Sequence, residues 1–386
     1  MNPGPKSPAP ADLQAIGWPL AADGLPSEPA WREALILRPH ARPARVVEQH
    51  RSGYIVADGP DSSFAVESLP EWQRPPGYKK GSVPPEQRPA VGDWVLIEGE
   101  APKSRIVALL PRRSAIKRGA AGEHYKQQLI AANIDTVFVV CGLDADFNPR
   151  RIERYLLLVR GGAEPVIVLT KVDLADAIDE QAAPEAIATL AELASQGIAV
   201  RAVNARDPAS VAALNPWLQP GRTVVLVGSS GAGKSTLTNS LLGIERMKTG
   251  AVRENDDRGR HTTTHRALIP LPAGACLIDT PGMRELKPTG EESVAENFSD
   301  VEAIAAQCRF RDCAHQREPG CAVRAALEAG TLDPQRYANY LKLSDEVAGA
   351  AGKLALRQAE NAAPKVQGKP PNKSPNKRLD DRYGRH

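Results

Sequence analysis

Apolar residues recur along this chain in two different rhythms. Between Ala44 and about Lys117 they come in short runs, at 45–47, 54–56, 64–66, 93–97 and 105–109, broken by Gly and Pro. That pattern predicts five short β-strands. Five strands in so short a stretch hide their edges best by closing on themselves, so residues 39–117 are expected to form an all-β, OB-like Greek-key barrel. From about Leu129 the rhythm changes. Runs at 136–141, 166–170, 200–204, 223–227 and 276–279 are apolar on successive residues and are separated by helical stretches. Strands of that kind are covered by helices on both faces, which predicts a parallel α/β domain over 118–288 with its active loops at the carboxyl ends of the strands. Beyond Thr289, helical stretches at 294–306, 323–329 and 335–358 surround a Cys/His cluster, a third and mostly α domain over 289–360. Residues 1–38, rich in Pro and Ala with no sustained apolar period, are expected to form a disordered arm despite Trp18 and Trp31. Residues 361–386 are expected to be a basic disordered tail.

Composition narrows the classes. At 386 residues the chain exceeds one ordinary core, and 42% hydrophobic content supplies two or three. Its 49 Lys and Arg against 46 Asp and Glu leave +3, which excludes a uniformly basic nucleic-acid coat. The tail holds seven basic and two acidic side chains, so the surplus positive charge lies there. No window approaches about 18 uninterrupted apolar residues, so no membrane helix is expected. The first 30 residues carry seven prolines and lack a secretory signal, which predicts a cytoplasmic protein. Five cysteines in a chain of this size suggest metal or a reduced core rather than a disulfide framework.

The segment Gly228-Ser229-Ser230-Gly231-Ala232-Gly233-Lys234-Ser235 fits G-x-x-x-x-G-K-[ST] between a predicted strand and a helical run that continues through Thr236. Backbone N–H groups of such a loop converge on phosphate at a helix N-terminus. Lys234 would reach the β and γ phosphates, and Ser235 would ligand Mg²⁺. Thr170-Lys171-Val172-Asp173 closes an apolar strand and resembles the N-K-x-D guanine reader of the GTPase superfamily. The Asp173 carboxylate can accept from guanine N1–H and the exocyclic amine together, whereas adenine presents an acceptor at N1 and would leave the charge unsatisfied. Thr170 stands where Asn is commoner, which leaves open the hydrogen bond that ties base reader to phosphate loop. Asp279-Thr280-Pro281-Gly282 resembles the D-x-x-G element, with Asp279 holding Mg²⁺ through water and Gly282 sensing the γ-phosphate. Between them, in Arg260-His261-Thr262-Thr263-Thr264, lies the place of the magnesium-binding threonine. Thr263 is the candidate, with Thr262 and Thr264 open alternatives. Asn204-Ala205 occupies the place of the base-backing element.

In chain order these elements run base reader, base backing, phosphate loop, switch, D-x-x-G, whereas a conventional GTPase begins with the phosphate loop. The chain therefore reads as a circular permutation. Across about residues 40–345 it resembles the circularly permuted, ribosome small-subunit-dependent GTPase A family (RsgA) in its G-R-H-T-T-T run, phosphate loop, D-T-P-G and Cys/His spacing. The resemblance implies GTP hydrolysis to GDP stimulated by the 30S subunit, contact with 16S rRNA, a role in late 30S maturation, and one structural Zn²⁺; a monomer is expected. Ras-like enzymes place a water-orienting Gln after D-x-x-G, but here Met283 follows, which predicts slow intrinsic turnover. His261 is the candidate replacement once a partner orders its loop; the alternative is that it only satisfies nearby backbone.

Cys308, Cys313, His315 and Cys321 form C-x4-C-x-H-x5-C, enough for a closed tetrahedral Zn²⁺ shell. Cys141 and Cys276 sit in apolar strands and read as core residues. In the β domain, Tyr54, Trp72, Tyr78 and Trp94 alternate with Arg42, Arg45, Arg51, Arg74, Lys79, Lys80 and Arg88, a mixture suited to RNA backbone charge and base stacking, with core packing the competing reading for Trp94. Tail residues Lys365, Lys369, Lys373, Lys377 and Arg378 could reach rRNA phosphates. Two other functions stay open on sequence alone. One is a zinc-bearing RNA-binding scaffold with little turnover; the other is an ATP-dependent P-loop enzyme, which Asp173 disfavours.

Overall fold

The computed structural model describes residues 8–50, 53–73, 83–100, 103–119, 127–159, 162–244, 267–279, 288–290 and 292–362. Five strands open the fold: β1 (Arg42–His50), β2 (Gly53–Gly59), β3 (Ser62–Val66), β4 (Trp94–Glu98) and β5 (Arg105–Leu109). All five lie where the hydrophobic runs predict strands. β1 pairs antiparallel with β2 and with β4, β2 with β3, and β4 with β5. A parallel bridge, Glu67 with Arg105, joins the end of β3 to β5. Ala44, Val46, Tyr54, Val56, Val66, Trp72, Val95, Ile97 and Ile106 share the enclosed core of these strands.

The opposite face of β1 and β4 is buried too. Arg45, Val47, Trp94 and Leu96 alternate with the enclosed residues, as period-2 pleating requires, yet all four are buried. What covers them corrects the expectation of a disordered arm. From residue 8 onward the N-terminal segment is ordered, with helices Pro10–Ala15 and Pro29–Leu37. Trp18 and Trp31 are buried against Trp94, with ring centroids 4.5 Å and 6.2 Å from it. The Trp31 indole donates to Pro111 O at 2.8 Å. Apolar period failed as a guide because the segment anchors through a few large side chains rather than a continuous stripe. Arg45, fully buried, donates to the carbonyls of Ile16, Gly92 and Asn133, tying this segment to two others. Arg42, Arg45, Tyr54 and Trp72 are thus packed inside and do not form an RNA-facing surface; Arg51, Arg74, Tyr78, Lys79 and Lys80 lie outside the described residues.

A hairpin of β6 (Ala115–Gly119) and β7 (Gln127–Ala132), which the hydrophobic runs do not mark, leads to the α/β layer. That layer comprises β8 (Thr136–Gly142), β9 (Glu164–Thr170), β10 (Ala199–Ala202), β11 (Thr223–Val227), β12 (Ala267–Pro270) and β13 (Cys276–Asp279). The order is β10-β9-β8-β11-β13-β12, parallel except for β12, and it continues into β1 through the single pairing Glu48–Ala267. Alternate residues of β8 and β11 enter separate cores: Val137, Val139, Val225 and Val227 on one face, Phe138, Val140, Val224 and Leu226 on the other. Burial on both faces explains their unbroken apolar runs. Cys141 and Cys276 are buried in these strands, as expected, and burial pushes the Cys141 thiol up to about 11.

The last helices, Val294–Asn297, Ser299–Ala305, Ala322–Glu328 and Pro334–Ala362, pack around Phe298, Val301, Val323, Leu332 and Leu343. Leu157, from the helix Pro149–Val159 that follows β8, completes that core. Beside it Glu153, buried, accepts from Arg150, Arg336 and Asn339, while Arg336 also grips Asp300. No described helix is long and apolar enough to cross a membrane.

Candidate functional site

Because β8, β9, β10, β11 and β13 run parallel, the segments that leave their carboxyl ends emerge along one edge of the sheet. Four of the sequence motifs share that edge: Thr170–Asp173 after β9, Asn204 and Ala205 after β10, Gly228–Ser235 after β11, and Asp279 closing β13. Residues 245–266 and 280–287 lie outside the described residues, and with them His261, Thr262, Thr263, Thr264, Gly282 and Met283.

The phosphate loop joins β11 to the helix Lys234–Leu242, so its N–H groups approach a helix N-terminus, where the macrodipole favours anions. Ser235 and Thr236 lie in the first turn of that helix. Gly233 adopts φ 88°, and a Cβ there would stand 2.8 Å from Thr170 Oγ1, so a side chain is excluded twice over. Lys234 Nζ lies over the loop, donating to Gly228 O at 2.8 Å and to Ser229 O.

Thr170, fully buried, donates from Oγ1 to Ala232 O at 2.7 Å. With Thr in the place where Asn is commoner, a direct tie still joins the Thr170–Asp173 segment to the loop Gly228–Ser235. Lys171 follows in a left-handed conformation, φ 64°, with its ammonium on Asp144. Asp173 lies in the first turn of the helix Val172–Asp176. The segment after β10 is also held to the phosphate-loop helix, since Ser240 Oγ donates to Ala205 O. Asn204 Oδ1 accepts from Arg206 N at 3.0 Å, shaping the turn that carries it.

Two side chains outside these motifs complete this edge. Asp144 and Asp146 lie between β8 and the helix Pro149–Val159. Asp144 pairs with Lys171, and Asp146 accepts from Ser229 Oγ at 2.5 and 2.7 Å while pairing with Arg151. Burial alone would raise the Asp144 carboxyl, but the hydrogen bonds from Lys171 and Asp146 N–H outweigh it and hold the group below the ordinary carboxylate value. The available signal was a doubly acidic loop at the end of an apolar strand, on the same edge as the motifs.

The Cys/His cluster lies between the helices Ser299–Ala305 and Ala322–Glu328. Its three Sγ atoms and one imidazole nitrogen all fall within 4.8 Å of one another. His315 Nδ1 is 3.5 Å from the Sγ of both Cys308 and Cys321, and those two sulfurs are 4.0 Å apart. Metal bonds of about 2.0–2.3 Å in a tetrahedron place ligand atoms about 3.5–3.8 Å apart, so the group fits Zn²⁺. Backbone N–H groups of Ala322 and Arg324 point at Cys308 and Cys321 Sγ, at 3.3 and 3.4 Å, and would stabilise thiolate charge.

A strand-to-helix glycine-rich loop, the Thr170–Asp173 segment tied to it and the permuted order define a circularly permuted P-loop GTPase fold. A family model described as RsgA GTPase matches residues 109–289. A protein of Xanthomonas campestris pv. campestris (strain B100), "Small ribosomal subunit biogenesis GTPase RsgA", is 70% identical over 361 residues, covering 93% of this chain and 95% of that one. The similarly named protein of Xanthomonas axonopodis pv. citri (strain 306) is 68% identical over 376 residues, 97% of each chain. Among solved structures, YloQ, described as a circularly permuted GTPase, superposes with TM-score 0.55 at 24% identity, over 80% of this chain and 95% of that one, a likeness of fold. The chain belongs to the RsgA GTPase family.

Proposed function

We propose that this chain is a GTPase that acts in biogenesis of the small ribosomal subunit, binding the 30S particle and hydrolysing GTP to GDP and phosphate. The observation that carries the reading is the Thr170 to Ala232 hydrogen bond, which joins a guanine-type reader to a phosphate loop so that both can close on one nucleotide. Relatives at 70% identity, named small-subunit biogenesis GTPases, support the ribosomal assignment. Asp173 accepts from the guanine edge, Lys171 lays its stem along the ring, and Asn204 and Ala205 back the base. N–H groups of Gly228–Ser235 and the Lys234 ammonium, exchanging its present carbonyl partners, hold the phosphates. Mg²⁺, when bound, would neutralise charge between the β and γ phosphates, with Ser235, Asp279 and Thr263 as its proposed ligands. His261 orients the attacking water in place of the missing Gln, and Gly282 senses the γ-phosphate.

The five N-terminal strands form an OB-type barrel, a reading supported by the Glu67–Arg105 bridge linking β3 to β5. Divided by function, the chain is a barrel over 39–117, a GTPase domain over 118–288 and a zinc domain over 289–360, with Cys308, Cys313, His315 and Cys321 holding one Zn²⁺. The partners proposed are the 30S subunit and its 16S rRNA, the compartment the cytoplasm, and the state monomeric. GTP turnover measured with and without purified 30S particles tests the activity; stimulation of at least tenfold is expected. Nucleotide binding without stimulated phosphate release would favour an assembly scaffold instead, the reading that Met283 supports. For the water-orienting role, His261→Ala should lose the stimulated turnover while keeping nucleotide affinity, and undiminished turnover would remove His261 from the mechanism.

A further inference from the structure

We infer that Asp144 and Asp146 are positioning residues for the nucleotide, acting as a two-carboxylate brace that holds the base reader and the phosphate loop in one geometry. The inference rests on the GTPase reading of this site. A lysine carries its charge on a flexible four-carbon stem, so an unrestrained Lys171 would lie along a purine only part of the time. Its ion pair with Asp144 fixes the ammonium, and the stem then follows a defined path. That path passes close to Gly142, where a Cβ would meet Lys171 Cε at 3.2 Å and Asp144 Oδ1 at 2.8 Å.

The second carboxylate works on the phosphate side. Both oxygens of Asp146 take the Ser229 hydroxyl, which orients the first turn of the phosphate loop. A bare carboxylate so near a polyphosphate would repel it, but the Arg151 guanidinium on the same group compensates its charge. The two acids are coupled, because Asp146 N–H donates to Asp144 Oδ1 at 3.0 Å. The loop is hooked to the base-reader strand as well, by Leu143 N–H to Thr170 O at 2.9 Å. One short segment thus contacts both halves of a site that are more than fifty residues apart in sequence.

The test is GDP affinity of the full chain, measured by fluorescence titration with mant-GDP in Mg²⁺ buffer, with thermal unfolding alongside. Asp144→Asn and Asp146→Asn should each weaken binding by about tenfold, the scale of one charge-assisted hydrogen bond, with little change in melting temperature. Asp144→Asn added to Lys171→Met should cost almost nothing further, and Asp146→Asn added to Ser229→Ala likewise, because each acid acts through its partner. Lys171→Met and Ser229→Ala break the same contacts from the opposite side, so an unfolded Asp variant does not block the test. Wild-type affinity in both Asn variants, or strictly additive losses in the pairs, would overturn the brace. Absence of GDP binding by the wild-type chain would instead remove the GTPase reading, and the brace with it.

Discussion

Thr170 shows how much a single hydroxyl can carry. Its partner, Ala232 O, lies 62 positions away and is buried with it, so loss of the donor leaves a carbonyl unsatisfied. Thr170→Val keeps the shape and removes the bond. It is expected to cost about 1–2 kcal/mol, read as a roughly five- to thirtyfold weaker GDP affinity, whereas Thr170→Asn should stay close to wild type. Equal affinity in Thr170→Val would show that the tie is dispensable. Residue spacing alone marked the tetrad as a candidate and left its first position undecided, since whether Thr can replace Asn depends on how closely the loop Gly228–Ser235 approaches. Gly233, which admits no Cβ beside Thr170, is what allows that approach.

At the scale of elements, the helix Pro149–Val159 links two regions that the motifs treat separately. Its preceding loop carries Asp144 and Asp146 to the sheet edge of the proposed nucleotide site, while Glu153 and Leu157 hold the Cys/His domain. The long helix Pro334–Ala362 contributes Arg336 to the same joint, stacked over Phe298 at 4.7 Å. The Cys/His spacing was legible because three thiols and an imidazole within 14 residues, amid polar neighbours, have few other uses. The docking face was not, because Glu153 and Arg336 look like ordinary helix charges until they meet. Structural zinc sites contribute folding free energy directly. Treatment with a strong chelator should therefore release one zinc per chain and loosen the helix Ala322–Glu328, seen as faster amide exchange there, while β8 and β11 remain protected. Release of metal without any change in exchange would show that the cluster does not organise the domain.

For the molecule as a whole, the decisive contacts are those of the N-terminal segment. Trp18 and Trp31 close a buried face of β1 and β4 around Trp94, and Arg45 binds three carbonyls from distant parts of the chain. Trp31→Ala is expected to destabilise by about 3–5 kcal/mol, a large part of a typical net stability of about 5–15 kcal/mol, and a urea midpoint would report it. An unshifted midpoint would return this segment to the status of a loose arm.

Local spacing and periodicity were sufficient for the five early strands, the parallel layer, the strand-to-helix loop at 228–235, the Cys/His cluster and the permuted order. The strands, the loop and the cluster are each written within a short window, where pleat, helix repeat or ligand geometry acts directly, and the permuted order is read from the succession of those windows. The ordered N-terminus, the burial of Arg45, the Thr170 tie and the Asp144–Asp146 brace arise between residues tens to hundreds of positions apart. Their energies depend on desolvation and approach distance, and those exist only once the layers have packed.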